Sequence, residues 1–239
     1  MEGDRLKQPV VFLPGLLLDR RLWQPQIEGL GGRIEPWVAD LTLDDTMAAM
    51  ARRVLAEAPL GRFALCGLSM GGYVALELMR QAPGRVDRLA LLDTQAIPET
   101  AEAKERRLTQ MRLAEGGKLA LVVDRLLSLE LYGAQRQDAQ LRDLRKTMAL
   151  SVGTDAFLRQ ARAIMGRADS RDTLPGIACP TLVLCGEHDL LTPPARHEEI
   201  AAAIRGATLV KVPECGHLST LEKPFEVNRA LGAWLGQAG

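Results

Sequence analysis

Six short stretches of the chain are apolar with little polar alternation: residues 9–13, 36–39, 63–66, 89–92, 181–185 and 208–212. Strands that read this way are covered on both faces, as in a parallel sheet. Between them, residues 46–58, 70–82, 194–205 and 224–235 carry helical periodicity. Thr46 suits a helix cap, Pro194 suits a first helical turn, and Pro83 with Gly84 ends the second helix. The alternation predicts an α/β fold: a doubly wound, mostly parallel sheet of about six strands, joined by right-handed crossovers.

One stretch breaks the rhythm. From about residue 97 to 168 there is no strand signal, only helical patterning rich in Arg, Leu, Ala and Gln. Four helices are expected there, at 100–115, 118–132, 135–151 and 154–166, parted by Gly116, Gly117, Gly133 and Gly153. The organisation that follows is a core of residues 1–96 and 170–239 with a helical lid, 97–169, inserted between two strands. The inner face of that lid is expected to close over the catalytic edge of the sheet.

Composition narrows the function classes. The 239 residues are 47% hydrophobic and 25% charged, enough for a full core. Lys plus Arg equals Asp plus Glu at 30 each, so the basic surface that a nucleic-acid partner needs is not expected. The polar N-terminus has no signal-peptide pattern, and no run approaches the about 20 apolar residues that cross a bilayer. Cys66, Cys179, Cys185 and Cys215 form no zinc pattern with His188, His197 and His217. Cys66 and Cys185 read as buried small hydrophobes. A cytoplasmic protein without metal, membrane or nucleic-acid partner is expected, and a homodimer is left open.

The chemistry concentrates around Ser69. Gly67-Leu-Ser-Met-Gly71 follows a strand and opens a helix, and a serine on so sharp a turn projects its hydroxyl above the sheet. The turn also aims the Met70 amide, at a helix N-terminus, at the place where an oxyanion would form. A serine hydroxyl needs a base within hydrogen-bond reach. His217, on a loop after the last strand, fits that role. His188 directly follows the strand at 181–185, and His197 reads as a solvated histidine on a helix. The third member is a carboxylate that orients the imidazole. Asp189 lies beyond the carboxyl end of one strand and is preferred; Asp93, at the end of another, competes on the same grounds.

Leu13-Pro-Gly-Leu16, Gly67-Leu-Ser-Met-Gly71, Gly186-Glu-His-Asp189 and Cys215-Gly-His217 together resemble the α/β-hydrolase superfamily over essentially the whole chain. The insert corresponds to the cap such enzymes carry after their sixth strand. Within the superfamily the chain is most similar to small cap-bearing bacterial esterases and enol-lactonases. The resemblance implies a triad of Ser69, Asp189 and His217, and an oxyanion hole of the Leu16 and Met70 amides. It implies cleavage of an ester, lactone or thioester of a small molecule through an acyl-enzyme, with no cofactor. The same triad also serves carbon–carbon bond hydrolases, a menaquinone-pathway lyase and cofactor-free perhydrolases, and a non-catalytic ligand receptor is a further alternative. Two departures stand out. Pro14 precedes Gly15 where the family has histidine, and the loop at Asp40 lacks the family's glycines. Trp23 and Trp37 are read as packing between helix and sheet, and Arg159 and Arg162 as a solvated face rather than a carboxylate site.

Overall fold

A computed structural model describes residues 7–236, so the N-terminal reading falls outside the described residues as far as residue 6. Six strands, β1 (Gln8–Leu13), β2 (Ile34–Val38), β3 (Phe63–Leu68), β4 (Val86–Leu92), β5 (Thr181–Gly186) and β6 (Thr208–Val212), form one sheet. Their order is β2-β1-β3-β4-β5-β6 and every pairing is parallel. β3 and β5 are buried along their whole length, which is why their sequences show no alternation. β4 starts three residues before its apolar run, because Asp87 and Arg88 lie at the half-buried lower end of the sheet.

Nine α-helices surround or extend the sheet: α1 (Gln24–Leu30), α2 (Met47–Glu57), α3 (Met70–Gln81), α4 (Ala101–Glu115), α5 (Leu119–Glu130), α6 (Ala139–Met165), α7 (Pro194–Ala203), α8 (Ser219–Glu222) and α9 (Pro224–Leu235), counted among the described residues. The Thr46 hydroxyl accepts the Ala49 amide and starts α2, and prolines open α7 and α9. One face of the sheet is covered by α2, α3 and α7 through Met50, Val54, Val74 and Ile200. The other is covered by α1 and α9 through Leu30, Val227, Leu231 and Trp234. Trp23 is fully buried 4.9 Å from the Phe12 ring, a packing role. Helix α1 has no counterpart in the sequence reading, since its seven residues include Pro25 and Gly29. Gly29 packs closely on α9: a Cβ there would lie 2.0 Å from Asn228 Nδ2, so that side chain would have to move.

The strandless stretch holds α4, α5 and α6. One expectation is corrected and one is met. Residues Gly133–Gln137 form a 3₁₀ turn, and the helix begins only after Asp138, whose side chain accepts the Leu141 amide. The break expected between 135–151 and 154–166 is present: Gly153 has φ 80° and ψ 173°, non-helical values open to glycine but costly for other residues, and it divides α6 into two helical stretches. All three helices contribute to the same apolar cluster as α1, α9 and one face of the sheet, through Met111, Leu127 and Phe157.

Candidate active site

Ser69 occupies the turn from β3 to α3 with φ 56° and ψ −116°, a conformation that costs a non-glycine residue of order 1–3 kcal/mol. The neighbouring glycines explain why the chain accepts it. A Cβ at Gly71 would lie 2.0 Å from the Leu13 carbonyl oxygen, and one at Gly67 would lie 2.4 Å from that of Gly71. The helix can therefore start directly against β1 and lift the serine above the sheet. The Ser69 amide donates to the Leu92 carbonyl at 2.9 Å, and the Thr94 hydroxyl donates to the Ser69 carbonyl at 2.8 Å.

Three sequence-predicted residues meet at this edge. His217 Nε2 is 2.9 Å from Ser69 Oγ, and His217 Nδ1 is 2.8 Å from Asp189 Oδ2. Asp189 is held by four further contacts of its own loop. Leu191 and Thr192 amides donate to Oδ1 at 2.8 and 2.9 Å, the Thr192 hydroxyl donates to Oδ2 at 2.6 Å, and the Asp189 amide reaches the Gly186 carbonyl at 3.3 Å. Burial disfavours the Asp189 charge, yet the His217 ring and the Thr192 bonds hold its carboxyl below the ordinary value. Burial likewise opposes a charged His217, but the Asp189 carboxylate wins and pushes the imidazole up to about 9.

The His217 loop is fixed on both sides. Its amide donates to the Glu130 carbonyl at the end of α5, 2.7 Å away. The buried Glu222 carboxylate accepts the amides of Gly216, Leu218 and Tyr132 at 3.1, 3.2 and 2.8 Å. Gly186 lets this loop sit on the end of β5, since a Cβ there would lie 2.0 Å from the Gly216 carbonyl oxygen.

Asp93 is buried beside this line without touching the His217 ring nitrogens. Its Oδ1 accepts the Gly186 amide at 3.1 Å, and its Oδ2 accepts the Ser219 hydroxyl at 2.5 Å. Burial, and then the Asp189 charge, push its carboxyl well above the ordinary range. His188 is exposed and stacks on Tyr132 with ring centroids 3.7 Å apart. The reading of His197 as solvated is wrong: it is fully buried, its Nε2 accepts the Thr94 amide at 2.8 Å, and burial lowers its pKa to about 4. The signal was available, because His197, Ile200 and Ile204 lie on one helical face and all are buried.

Leu16 lines the cavity above Ser69, and Met70 is the first residue of α3, where an amide has no partner within the helix. The next residue, Leu17, has φ 56° and is clamped by α6. Its amide donates to Gln160 Oε1 at 3.0 Å and its carbonyl accepts Arg145 Nη1 at 3.0 Å. Arg145 is fully buried and forms a two-pronged pair with Glu130, at 2.8 and 2.9 Å. One buried network thus joins the Leu16–Leu17 turn to the residue whose carbonyl holds His217. No local pattern in the sequence marks Arg145, Glu130, Gln160, Thr94 or Glu222, since their partners lie on other elements.

The cavity measures about 360 Å³. Its lining includes Ser69, His217 and Thr192 from the sheet edge and Leu126, Leu129 and Ile164 from the insert. Trp23, Trp37, Arg159 and Arg162 are absent from its walls; Arg159 instead donates to the Thr42 carbonyl at 2.8 Å. Among the described residues no helix is long and apolar enough to cross a membrane.

The chain resembles several known proteins along most of its length. It is 28% identical over 228 residues to a pimeloyl-[acyl-carrier protein] methyl ester esterase of Nitrosomonas europaea, covering 90% of each chain. It is 33% identical over 198 residues to a candidate carbamate hydrolase, RutD, of Klebsiella pneumoniae, covering 79% of this chain and 71% of the relative. Among solved structures, a thermophilic esterase from Thermogutta terrifontis superposes with a TM-score of 0.86 at 31% identity, over 95% of this chain and 89% of that one. The enol-lactonase from Burkholderia xenovorans LB400 has a TM-score of 0.88 at 24% identity over 97% and 92%, a likeness of fold. Residues 32–224 match the family described by the alpha/beta hydrolase fold, and the chain belongs to that family.

Proposed function

We propose that the protein is a serine carboxylesterase that cleaves an ester of a small molecule through an acyl-enzyme. The observation that carries this reading is the unbroken line Asp189–His217–Ser69, with both links under 3 Å, ending at a strained serine that faces a cavity. Relatives named as an esterase of methyl esters and as an esterase of known structure support an ester-type bond.

In the proposed reaction His217 Nε2 takes the Ser69 proton as Oγ attacks the ester carbonyl carbon. The carbonyl π pair moves onto oxygen, where the Met70 and Leu16 amides stabilise the negative charge. Collapse expels the alkoxide, which receives the proton from His217, and leaves the acyl group on Ser69. Water, deprotonated by the same imidazole, attacks the acyl-enzyme; the second collapse releases the acid and returns the proton to Ser69. Asp189 keeps the imidazole in the tautomer that presents Nε2 as acceptor and stabilises the imidazolium. The helical insert, residues 97–169, is the proposed cap, because α4, α5 and α6 all supply residues to the cavity that Ser69 lines. Clamping of Leu17 by Arg145 and Gln160 makes it a positioning element as well.

The test is turnover of p-nitrophenyl acetate together with labelling by a fluorophosphonate. Stoichiometric labelling at Ser69, lost with turnover in folded Ser69→Ala, supports the reading. Turnover that survives that substitution, or labelling at another residue, overturns it.

A further inference from the structure

The lining of the cavity carries more positive than negative charge. Arg106, Arg107, Arg167 and Arg196 line it, against Glu99 and Glu130. Glu130 is neutralised from behind by Arg145. Glu99 is shared: Arg107 Nη2 reaches its Oε1 at 2.9 Å, and Arg167 Nη1 pairs with its Oε2. All three of these side chains are largely buried, so one carboxylate faces two guanidiniums out of bulk water. Arg196 leans on Glu199 at 3.3 Å, whereas Arg106 pairs with no carboxylate among the described residues. Arg167 also lies over the Tyr73 ring, 4.4 Å from its centroid, and Tyr73 sits one turn after Ser69. The excess charge is therefore close to the serine.

In the Arg107–Glu99–Arg167 cluster one positive charge is held largely out of water without a counter-charge, a cost recovered when a ligand brings the missing anion, whereas Arg106 is exposed and adds a hydrated donor. Guanidinium groups suit oxygen anions because their donors are planar and paired. Leu16, Leu126, Leu129, Ile164 and Leu218 give the cavity an apolar part, beside polar Gln95, Thr100 and Gln110. We infer that the substrate is an ester that carries, across a short apolar spacer, a second group with an anionic oxygen, a carboxylate or a phosphate, which docks against Arg106 and the Arg107–Glu99–Arg167 cluster. The inference rests on the esterase reading for the reaction and on the arginines alone for the anion site.

Two measurements test it separately. In the first, kcat/KM is compared for monomethyl adipate and neutral dimethyl adipate. The free acid is preferred in the intact protein, and the preference weakens as salt is added. Arg106→Gln and Arg107→Gln each lower the preference by about ten- to hundredfold, the range expected for a charge-assisted hydrogen bond, while turnover of the dimethyl ester is kept. Arg107→Gln leaves Arg167 on Glu99, so the insert keeps its ion pair. The second measurement titrates the protein with adipate, inorganic phosphate and neutral hexane-1,6-diol by calorimetry. Binding of adipate or phosphate but not the diol, abolished in Arg106→Gln/Arg107→Gln, supports the site and names its anion. Equal kcat/KM for the two esters overturns the inference while leaving the esterase intact. Failure of both anions to bind overturns it even if neither ester is cleaved, an outcome that would sink the esterase reading on its own.

Discussion

The sheet edge places Ser69 and Asp189 largely by backbone geometry, whereas the helical insert is held by buried ion pairs between side chains. At the edge, the Ser69 turn, the close approach of Gly71 to Leu13 and the amides around Asp189 are all made within or between neighbouring strand ends. In the insert, Arg145 and Glu130 meet across two helices, and Glu99 is gripped by Arg107 and Arg167 from the two ends of the segment. Backbone constraints leave reacting atoms little freedom. Side-chain pairs can be exchanged one at a time, which suits the part of the site that meets a variable substrate. In the proposed esterase the difference separates the part that would do chemistry from the part that would set specificity.

The comparison breaks or sharpens under substitution. The largest effect belongs to Ser69→Ala: loss of turnover on the order of 10⁶, with the far-ultraviolet circular dichroism unchanged. Next comes Asp189→Asn, which lowers kcat by about three to four decades because the imidazole takes the wrong tautomer. It also moves the pH profile. His217 must be neutral to accept the serine proton, so kcat/KM climbs as pH rises through its pKa. Asp189 holds that pKa above the ordinary 6.5; without the carboxylate burial wins and the acid limb shifts to lower pH. A limb that stays in place would remove Asp189 from the site.

Arg145→Met tests the insert. It leaves Glu130 as a buried unpaired charge, so urea unfolding registers a loss of about 3–5 kcal/mol. Release of the Leu17 carbonyl lets the Leu16 amide drift, and kcat falls by about 10². The double variant Arg145→Met/Glu130→Leu recovers stability but not kcat. If kcat is unchanged in a folded single variant, the insert shapes specificity only. The smallest effect is Asp93→Asn, at about tenfold or less in kcat. Burial, and then the Asp189 charge, push the Asp93 carboxyl up, so loss of its charge costs less than at Asp189, and Asn can still accept the Gly186 amide.

Much of the sheet and of the reacting group was legible in the sequence, because both depend on short-range constraints. Uniformly apolar runs mark strands buried on both faces, and Gly67 and Gly71 bracket a turn that tolerates no Cβ. Polar strand ends, such as Asp87 and Arg88 in β4, were not legible, since they carry no strand pattern. Helix α1 was hidden by Pro25 and Gly29, and the start of α6 by the 3₁₀ turn before Asp138.

By itself, then, the sequence determined a parallel α/β sheet, a serine on a strained turn and a histidine on the last loop, each specified by residues a few positions apart. Only the tertiary structure decided which of two strand-end aspartates meets that histidine. Asp93 directly follows β4 and Asp189 lies on the loop just beyond β5, both at the same edge of the sheet, but the His217 loop, pinned by Glu130 and Glu222, meets Asp189 and leaves Asp93 to Ser219. It likewise buried His197, and it gathered the arginines of the insert around Glu99 and Glu130. Such pairs join residues far apart in the chain, and their energies depend on burial, which no local pattern records.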